Sequence, residues 1–297
     1  MITVPLSRRS LLLAGAAGVA GLAGCSLSPD EDHSGPDAPR AEPVRRPVRV
    51  AWVLSSGGPR GFVHVGVLKA LEELQLRPDL IVGASAGALV GCLCASGVPA
   101  AEIERLALDL QPWSLGRLAF GAPERLSGSA VAELVRERSR VALLEEMPVA
   151  MACVALRQND GATVAFTAGD AGLAVQASAA IERQFAPVRI RGQRYLDPDW
   201  SAPLPVRVAR ALGAQRVLAI DASAHLDRTP PGAERYRESD LRKKALVDAD
   251  AALADRVLKP DFGYWVSLSR EFRERAIGAG YRETMAQAEA LRVLHGG

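Results

Sequence analysis

Hydrophobic residues fall in short, nearly continuous runs, and these runs alternate with stretches in which apolar residues recur at helical spacing. Residues 48–54 form one such run, which ends at a Ser/Gly turn and precedes a helical stretch over 63–76. Residues 79–82 repeat the pattern, with a glycine-containing turn and a helical stretch over 88–96. The spacing therefore predicts two consecutive strand–turn–helix units.

The rest of the chain shows the same alternation. Near-continuous apolar strands that alternate with helices predict an α/β fold, with a mostly parallel sheet covered by helices on both faces. Because no repeat and no second linker interrupts the pattern, we expect residues 48–297 to form one domain. Further strands are predicted at 149–156, 162–167, 188–190 and 216–220, and further helices at 101–110, 128–144, 204–212 and 270–294.

The first 25 residues have the layout of an export signal. Two arginines precede residues 11–23, which are thirteen uncharged residues, mostly Leu, Ala, Gly and Val. This stretch is shorter than the roughly 20 residues that a helix needs to cross the hydrocarbon core of a bilayer. Residues 22–25, Leu-Ala-Gly-Cys, resemble the lipobox of bacterial lipoproteins, which predicts removal of residues 1–24 as a signal peptide and acylation of Cys25.

The expected location of the protein follows from this signal. Acyl chains on Cys25 would hold the protein on a membrane without a spanning helix. Ser26, rather than Asp, is typical of sorting to the outer membrane, where the protein would face the periplasm. The paired arginines also resemble a twin-arginine signal, although Ser10 and Leu11 fit that pattern loosely, so the export route stays open. A plain cleaved signal with an incidental cysteine is the alternative.

Residues 25–47 separate this signal from the first predicted strand. Five of them are prolines, and most of the others are charged, small or polar. Because the segment contains almost nothing to bury, we expect a solvated, semi-extended tether.

Composition and charge exclude several classes of protein. Hydrophobic residues make up 48% of the chain and charged residues 24%, which rules out a fully disordered chain. The net charge is +2, and Arg8 and Arg9 account for both excess positive charges, so the remainder is neutral. Since nucleic-acid binding usually needs a basic face, no nucleic-acid partner is expected.

The cysteines beyond Cys25 indicate neither a disulfide framework nor a metal site. Cys92, Cys94 and Cys153 lie in apolar runs, and an odd number of thiols cannot pair completely. No Cys/His spacing typical of a metal site is present. We therefore expect buried free thiols and no metal or cofactor.

The turn Gly83-Ala84-Ser85-Ala86-Gly87 matches the pattern G-x-S-x-G and lies between a predicted strand and a predicted helix. In that context the turn is sharp, Gly83 and Gly87 allow close backbone packing, and the serine hydroxyl points outward at the carboxyl edge of the sheet. Ser85 is therefore the candidate nucleophile. An ordinary loop is the alternative, since this five-residue pattern also arises by chance in glycine-rich sequence.

A second glycine turn, Gly57-Gly58-Pro59-Arg60-Gly61, also connects a predicted strand to a predicted helix. Backbone N–H groups at such a turn can point at a developing oxyanion, and the following helix adds the positive end of its dipole. Pro59 has no N–H, so the expected donors are Gly57, Gly58 and Arg60. Neither G-x-G-x-x-G nor the Walker pattern is present, which argues against a phosphate-binding loop.

A serine nucleophile needs a base, and the chain has four histidines. His33 lies in the predicted tether, and His64 lies inside the first predicted helix. His225 or His295 would fit a Ser…Asp…His order, although neither has a supporting local motif.

Two carboxylates are more specific candidates for the base than these histidines. Asp197 and Asp199 lie at a turn between a predicted strand and the helix that begins at residue 204. An aspartate within hydrogen-bond reach of the serine can act as the base when burial or hydrogen bonding raises its pKa.

These motifs together resemble the bacterial patatin-like phospholipases, in which a Gly-rich loop, G-x-S-x-G and a later Asp-Gly occur in this order. Residues 54–71 resemble the first block of the family nearly throughout, and residues 81–91 fit the second closely. Residues 176–199 resemble the segment that leads to the family's aspartate, which falls on Asp197. The resemblance covers about residues 48–297.

The resemblance implies a three-layer patatin-like fold and a serine acyl hydrolase of phospholipase A or lysophospholipase type, with a lipid or phospholipid substrate and no cofactor. It implies that Asp197 accepts the proton of Ser85, that Ser85 attacks the ester, and that N–H groups at Gly57 and Gly58 stabilise the oxyanion. Water would then hydrolyse the acyl-enzyme. His64 falls where the family commonly has a histidine, which implies a structural role.

Two positions depart from the family pattern. Ser56 stands where the first glycine of the loop is usual, and Pro198 replaces the glycine after the aspartate. Pro198 removes an N–H and restricts Asp197 toward extended geometry, so Asp199 would either compensate or be the true base. Arg60 would either hold the glycine loop or meet a lipid phosphate.

Three other functions stay open at this point. The same dyad would serve an esterase or thioesterase acting on a non-lipid substrate. If the Asp-Pro-Asp turn no longer supports catalysis, the protein would be a lipid-binding lipoprotein. A histidine-based triad is the third alternative. An apolar stretch over 112–120 would border an acyl groove or belong to the core, and the sequence does not predict the oligomeric state.

Overall fold

One sheet contains most of the strands that the structure describes. The computed structural model describes residues 31–111, 116–118 and 126–296. Within these ranges the strands are β1 (Asp32–His33), β2 (Val50–Leu54), β3 (Leu80–Ala84), β4 (Arg117–Leu118), β5 (Leu126–Ser127), β6 (Ala150–Arg157), β7 (Thr163–Phe166), β8 (Val188–Ile190), β9 (Gln193–Leu196), β10 (Arg216–Ile220) and β11 (Arg256–Leu258). The helices are α1 (Phe62–Glu73), α2 (Ala86–Ala95), α3 (Ala100–Asp109), α4 (Ser129–Arg138), α5 (Ala171–Ser178), α6 (Val206–Ala211), α7 (Arg237–Ala251), α8 (Arg270–Ala286) and α9 (Ala288–His295).

The central part of the large sheet is parallel. Its strand order is β1-β8-β9-β6-β3-β2-β10-β11, and β7 pairs with β6. The run from β6 through β3, β2 and β10 to β11 is parallel throughout, whereas β7 and β9 are antiparallel to β6. The predicted α/β fold with a mostly parallel sheet is therefore confirmed. Because neighbouring parallel strands end at one edge, the turns after β2 and β3 meet there.

Both faces of the sheet are buried. On β2, Trp52 and Leu54 belong to one apolar cluster, whereas Ala51 and Val53 belong to the other. Helices α1, α2, α5 and α9 cover the first face, and α6 and α7 cover the second. The strands read as continuous apolar runs because side chains on both sides are covered, as in other three-layer α/β folds.

The helix predicted over residues 128–144 is wrong in its length. Helix α4 ends at Arg138, and Ser139 has extended backbone angles. The residues that follow do not continue the helix, because Leu143 forms a β-bridge with Asp170. Tertiary pairing here overrides the helical spacing of the sequence.

The single helix predicted over residues 270–294 is two helices. Gln287 leaves the helical region with φ −106° and ψ 16°, and the Thr284 hydroxyl donates to the carbonyl oxygen of Gly280. Such a bond back to the preceding turn bends helices. The break lets α9 bury Leu291 and Leu294 against the sheet.

The sequence pattern did not predict α5, α7, β9 or β11. Helix α7 is strongly polar and buries only Val247 and Asp250 among its residues, so it has no clear apolar stripe. Helix α5 spans eight residues and is buried nearly all round, which leaves no polar face to mark its period.

Residues 32–47 lie against the domain. Strand β1 pairs with β8 at the edge of the sheet, Arg40 bridges Ala168, and the N–H of Glu42 donates to Thr167 Oγ1 at 2.8 Å. These residues are therefore attached to the domain and do not form a free tether, although most of them are exposed to solvent, as predicted. A segment with little to bury is held here by backbone hydrogen bonds, because an edge strand offers unpaired N–H and C=O groups.

Several predicted features lie outside the described residues and stay predictions. They are the signal peptide over 1–24, Cys25 and its acylation, and most of the apolar stretch over 112–120. Within the described ranges, no helix is both long enough and apolar enough to cross a membrane.

The three thiols of the domain are free, as predicted. Cys92 and Cys153 are buried, whereas Cys94 is half-buried. Burial raises the pKa of Cys94 to about 12, so this thiol is neutral at physiological pH.

Candidate active site

Ser85 lies on a sharp turn between β3 and α2. Its backbone has φ 54° and ψ −119°, a region that residues with a side chain rarely occupy. A Cβ on Gly83 would lie 2.5 Å from the carbonyl oxygen of Gly87, and one on Gly87 would lie 2.3 Å from that of Leu54. Only glycine fits at both positions, which explains physically why the motif has glycine on each side of the serine.

The backbone of Ser85 is fixed from beneath by α5. The Ser85 N–H donates to Ser178 Oγ at 2.9 Å, and the Ser178 hydroxyl donates to the carbonyl oxygen of Val154. The carbonyl oxygen of Ser85 accepts from Ala88 and Leu89, which begins α2. Ser85 is thus held at the positive end of the α2 dipole, with its own N–H already occupied.

Asp197 follows β9 and is buried, with 7% of its surface exposed. Its N–H donates to the carbonyl oxygen of Ala180, and its Oδ1 accepts from the N–H of Asp199 at 2.9 Å. Burial raises the pKa of Asp197 to about 7, and the neighbouring Ser85 side chain opposes that rise. The structure therefore brings Ser85 and Asp197 together, and a carboxylate with this pKa can accept a proton near neutral pH.

Pro198 leaves the aspartate turn intact. The hydrogen bond that orients Asp197 comes from the N–H of Asp199, so the turn does not need an N–H at position 198. The carbonyl oxygen of Pro198 accepts from the N–H groups of Ser201 and Ala202, at 2.9 and 2.8 Å. The proline therefore begins a compact turn that presents Asp197 to Ser85.

Asp199 has other partners. Its Oδ1 accepts from Lys243 Nζ at 2.5 Å and from the hydroxyl of Ser56. Its side chain is 28% exposed. The geometry favours Asp197 over Asp199 as the group that meets the serine.

The glycine turn forms a short 3₁₀ helix, Gly58–Gly61, beside the start of α2. Gly58 has φ 53°, and a Cβ on Gly61 would lie 2.4 Å from that of Ala86. In the part of the chain that the structure describes, the N–H groups of Gly57 and Gly58 have no acceptor. They are free to donate to an oxyanion beside Ser85.

Arg60 differs from the two glycines. Its N–H donates to the carbonyl oxygen of Gly57 at 3.0 Å, so the expectation that it is an oxyanion donor is wrong for this conformation. Its guanidinium donates to the carbonyl oxygens of Gly263 and Tyr264 and lies 5.7 Å from the ring centroid of Phe262. Of the two predicted roles for the side chain, holding the glycine turn fits these contacts.

His64 supports the end of β2, just before the glycine turn. Its ring is fully buried, and Nε2–H donates to the carbonyl oxygen of Ser55 at 2.9 Å. Burial lowers the pKa of His64 to about 4, so the ring is neutral at physiological pH. A neutral ring that binds the backbone fits the structural role expected for it.

None of the other three histidines has Ser85 among its hydrogen-bond partners. His225 Nε2–H donates to the carbonyl oxygen of Lys259 at 3.0 Å, and His295 Nε2 accepts from the Trp52 indole at 2.9 Å. His33 lies in β1 at the edge of the sheet. The geometry does not favour a histidine-based triad. No group of three or more His, Cys, Asp or Glu within the described ranges could hold a metal ion.

The sequence reasoning missed three residues that tie the site to distant parts of the chain. These are Ser178, Lys243 and Lys259, whose Nζ lies 3.0 Å from Oδ2 of the buried Asp221. The sequence does contain a signal for the two lysines, because only four of the 36 basic residues are lysines. Two of these lysines pair with aspartates close to the turns of the site, at Asp199 and Asp221.

The chain is similar to known proteins in both sequence and fold. Residues 52–210 match the sequence model of a family described as patatin-like phospholipase. The matched region runs from β2 into α6 and contains the glycine turn, Ser85 and Asp197. Among solved structures, VipD from Legionella pneumophila is similar with a TM-score of 0.49 and 14% identity, over 88% of this chain and 71% of that chain.

Two relatives show how much of each protein is shared. An uncharacterized NTE family protein of Mycobacterium tuberculosis H37Rv is 31% identical over 219 residues, which are 70% of this chain and 61% of the relative. The lysophospholipase NTE1 of Saccharomyces cerevisiae is 28% identical over 187 residues, which are 61% of this chain and 11% of the relative. The chain thus spans about three fifths of the length of the mycobacterial relative.

Proposed function

Because the chain belongs to the patatin-like phospholipase family, we propose that it is a serine hydrolase that cleaves lipid acyl esters, of phospholipase A or lysophospholipase type. The observation that carries this proposal is the contact of Ser85 with a buried Asp197 whose pKa is about 7. The yeast relative is a lysophospholipase, which supports a lipid substrate.

The proposed acylation step uses both turns of the site. Asp197 accepts the proton of Ser85 while Ser85 Oγ attacks the ester carbonyl carbon. The carbonyl oxygen becomes an oxyanion, to which the N–H groups of Gly57 and Gly58 donate. Asp197 then gives its proton to the leaving alkoxide, and the alcohol departs as the acyl-enzyme forms.

The proposed deacylation step reverses these roles. Asp197 takes a proton from water, and the resulting hydroxide attacks the acyl carbon under the same N–H groups. When the second tetrahedral intermediate collapses, Asp197 returns the proton to Ser85 Oγ and the fatty acid leaves. The chemistry requires a base that is ionised at working pH, so activity depends on the pKa of Asp197.

Large exposed aromatic side chains support action at a lipid surface. Trp200 is 44% exposed and follows the aspartate turn. Trp265 is 48% exposed and meets the ring of Tyr264 edge-on, next to the contact between Arg60 and the Tyr264 carbonyl oxygen. Tryptophan favours the boundary between lipid and water, so these side chains would bring the site to the membrane.

We also propose that acyl chains on Cys25 anchor the protein in the outer membrane, facing the periplasm. The lipobox-like sequence at residues 22–25 supports this. Labelling of growing cells with an alkyne palmitate analogue tests it. Wild type is expected to take up the label and to fractionate with outer membranes, whereas Cys25→Ser is expected to lose both properties; label that persists on Cys25→Ser would overturn the proposal.

A fatty-acid release assay tests the activity. Wild type is expected to release fatty acid from phospholipid or lysophospholipid vesicles, and Ser85→Ala is expected to release none above background. Turnover of short nitrophenyl esters without any on vesicles would instead favour a non-lipid esterase or thioesterase. Folded wild type that turns over neither substrate would favour a lipid-binding lipoprotein.

A further inference from the structure

The two turns that depart from the family pattern are joined by a side-chain hydrogen bond. Ser56 replaces a glycine of the first turn, and the Asp-Pro-Asp sequence replaces Asp-Gly in the second. The Ser56 hydroxyl donates to Asp199 Oδ1, although the two residues are 143 positions apart in the chain. Lys243 Nζ donates to the same oxygen at 2.5 Å.

This cluster, Ser56 with Asp199 and Lys243, is well enclosed. Ser56 is 2% exposed, and the side chains of Asp199 and Lys243 are 28% and 21% exposed. Its members come from the turn after β2, the turn after β9 and helix α7. An ion pair with this much burial is screened less by solvent than one on the surface.

The cluster is joined directly to both halves of the catalytic machinery. Ser56 immediately precedes Gly57, one of the proposed oxyanion donors, and the N–H of Ser56 donates to the carbonyl oxygen of Pro203 at 2.8 Å. Asp199 donates its N–H to Asp197 Oδ1. A shift of Asp199 would therefore move the proposed base and the oxyanion turn together.

We propose that Ser56, Asp199 and Lys243 are positioning residues that hold the oxyanion turn at a fixed distance from Asp197 and set the charge around that carboxylate. This inference rests on the proposed function, because Asp197 must be the base. Ser56 and Pro198 stand where the family pattern has glycines, and the hydrogen bond from Ser56 to Asp199 joins the two turns.

The charges that face Asp197 come from two elements. Asp199, on the same turn, raises the pKa of Asp197, whereas Lys243, on α7, lowers it. The third interacting group is the neutral hydroxyl of Ser85 on the α2 turn. The two charged partners of one ion pair therefore act on the base with opposite signs.

The pH dependence of kcat/KM on a soluble nitrophenyl ester tests the proposal. Because Asp197 must be ionised to accept a proton, activity falls as the pH drops through its pKa. In Lys243→Met the negative charge of Asp199 is left uncompensated, so the acidic limb is expected to move up by about one pH unit. In Asp199→Asn the positive charge is left uncompensated, so the limb is expected to move down by about as much.

Matched variants separate this effect from a general loss of structure. Lys244 and Asp248 form an exposed ion pair on the same helix, so Lys244→Met and Asp248→Asn are expected to keep the wild-type limb. Lys243→Arg keeps the charge and is expected to leave the limb in place. Ser56→Ala is expected to lower kcat about tenfold with little change in KM, because the oxyanion donors shift while the charges stay.

The outcomes distinguish this inference from the proposed function. Opposite shifts of the limb in Lys243→Met and Asp199→Asn support the positioning role. Shifts of these two variants in the same direction, or lower activity of both with an unmoved limb, would overturn it and leave the cluster with a purely structural role. Should Lys243→Met fail to fold, Asp199→Asn and Ser56→Ala carry the test. Ester turnover that survives in Ser85→Ala would contradict the proposed function itself.

Discussion

The two sides of the candidate site are held by different physical constraints. On the serine side the constraint is local and steric: a Cβ on Gly87 would lie 2.3 Å from the backbone of Leu54. On the aspartate side the constraint is distant and electrostatic, because Asp199 is held by Lys243, 44 residues further along the chain. Substitutions of the glycines beside Ser85 should therefore abolish activity. Substitutions of the residues around Asp197 should change activity gradually.

The largest expected effect is that of replacing the proposed base itself. Asp197→Asn is expected to lower kcat about 10³-fold, because the neutral amide cannot accept the serine proton. Steady-state turnover of a soluble ester measures this. Asp250→Asn is the matched control, since Asp250 on α7 is another buried aspartate whose pKa burial raises, and it pairs with Arg207 of α6. Equal losses in the two variants would contradict the assignment.

The same aspartate should make stability depend on pH. Its pKa is about 7 in the folded protein against an ordinary 3.8, so between these values the folded state holds a proton that the unfolded state has lost. Stability from this group is therefore present below about pH 4 and falls as the pH rises to 7, by as much as about 4 kcal/mol.

Thermal unfolding of Asp197→Asn measures that contribution. The variant is expected to unfold at a higher temperature than wild type at pH 8 and at a similar temperature at pH 4. A variant that is less stable than wild type at pH 8 would show that the burial of Asp197 is fully offset by its hydrogen bonds.

The steric side of the comparison is tested by a single methyl group. Gly87→Ala is expected to destabilise the fold by about 3 kcal/mol and to abolish turnover, because the backbone of β2 cannot move away. Gly35→Ala is the control, since a Cβ at Gly35 would meet nothing within 4 Å. Urea unfolding measures both, and an unaffected Gly87→Ala would show that the turn tolerates adjustment.

A smaller effect should appear only on lipid. The double variant Trp200→Ala with Trp265→Ala is expected to lose about tenfold in rate on vesicles and to keep its rate on a soluble ester. Val293→Ala is the control, because Val293 is 65% exposed and lies on α9. Equal rates of wild type, the double variant and Val293→Ala on vesicles would show that these tryptophans do not contact the membrane.

The smallest effect concerns the remaining histidine alternative. His225→Ala is expected to change ester turnover by less than about twofold, because its ring donates to a backbone carbonyl of Lys259 and not to the serine. A loss comparable to that of Asp197→Asn would restore the histidine-based triad.

These two sides also differ in how far the sequence predicts them. The strand–turn–helix units around Ser85 follow from local patterns. The glycine positions and the spacing of apolar residues can both be recognised within a short stretch of sequence. The alternation of strands and helices likewise predicts the parallel sheet. Both are properties of short segments, so they can be recognised without knowing the fold.

The aspartate side depends on contacts that no local pattern contains. Helix α7 has no apolar stripe, so neither the helix nor the position of Lys243 could be predicted. The N–H of Arg60 was expected to be free, and only the 3₁₀ geometry shows that it donates to Gly57. The attachment of residues 32–47 to the domain could not be predicted, because their composition does not reveal a vacant sheet edge.

Labelling with a fluorophosphonate probe tests the central claim, the pairing of Ser85 with Asp197, most directly. Peptide mapping is expected to find the label on Ser85 of wild type, with a labelling rate that rises with pH through about 7, the pKa of Asp197. Asp197→Asn is expected to lose that rise, whereas Asp199→Asn is expected to keep a rise that lies about one pH unit lower. Folded wild type that does not label, or a rise that persists in Asp197→Asn and disappears in Asp199→Asn, would contradict the account.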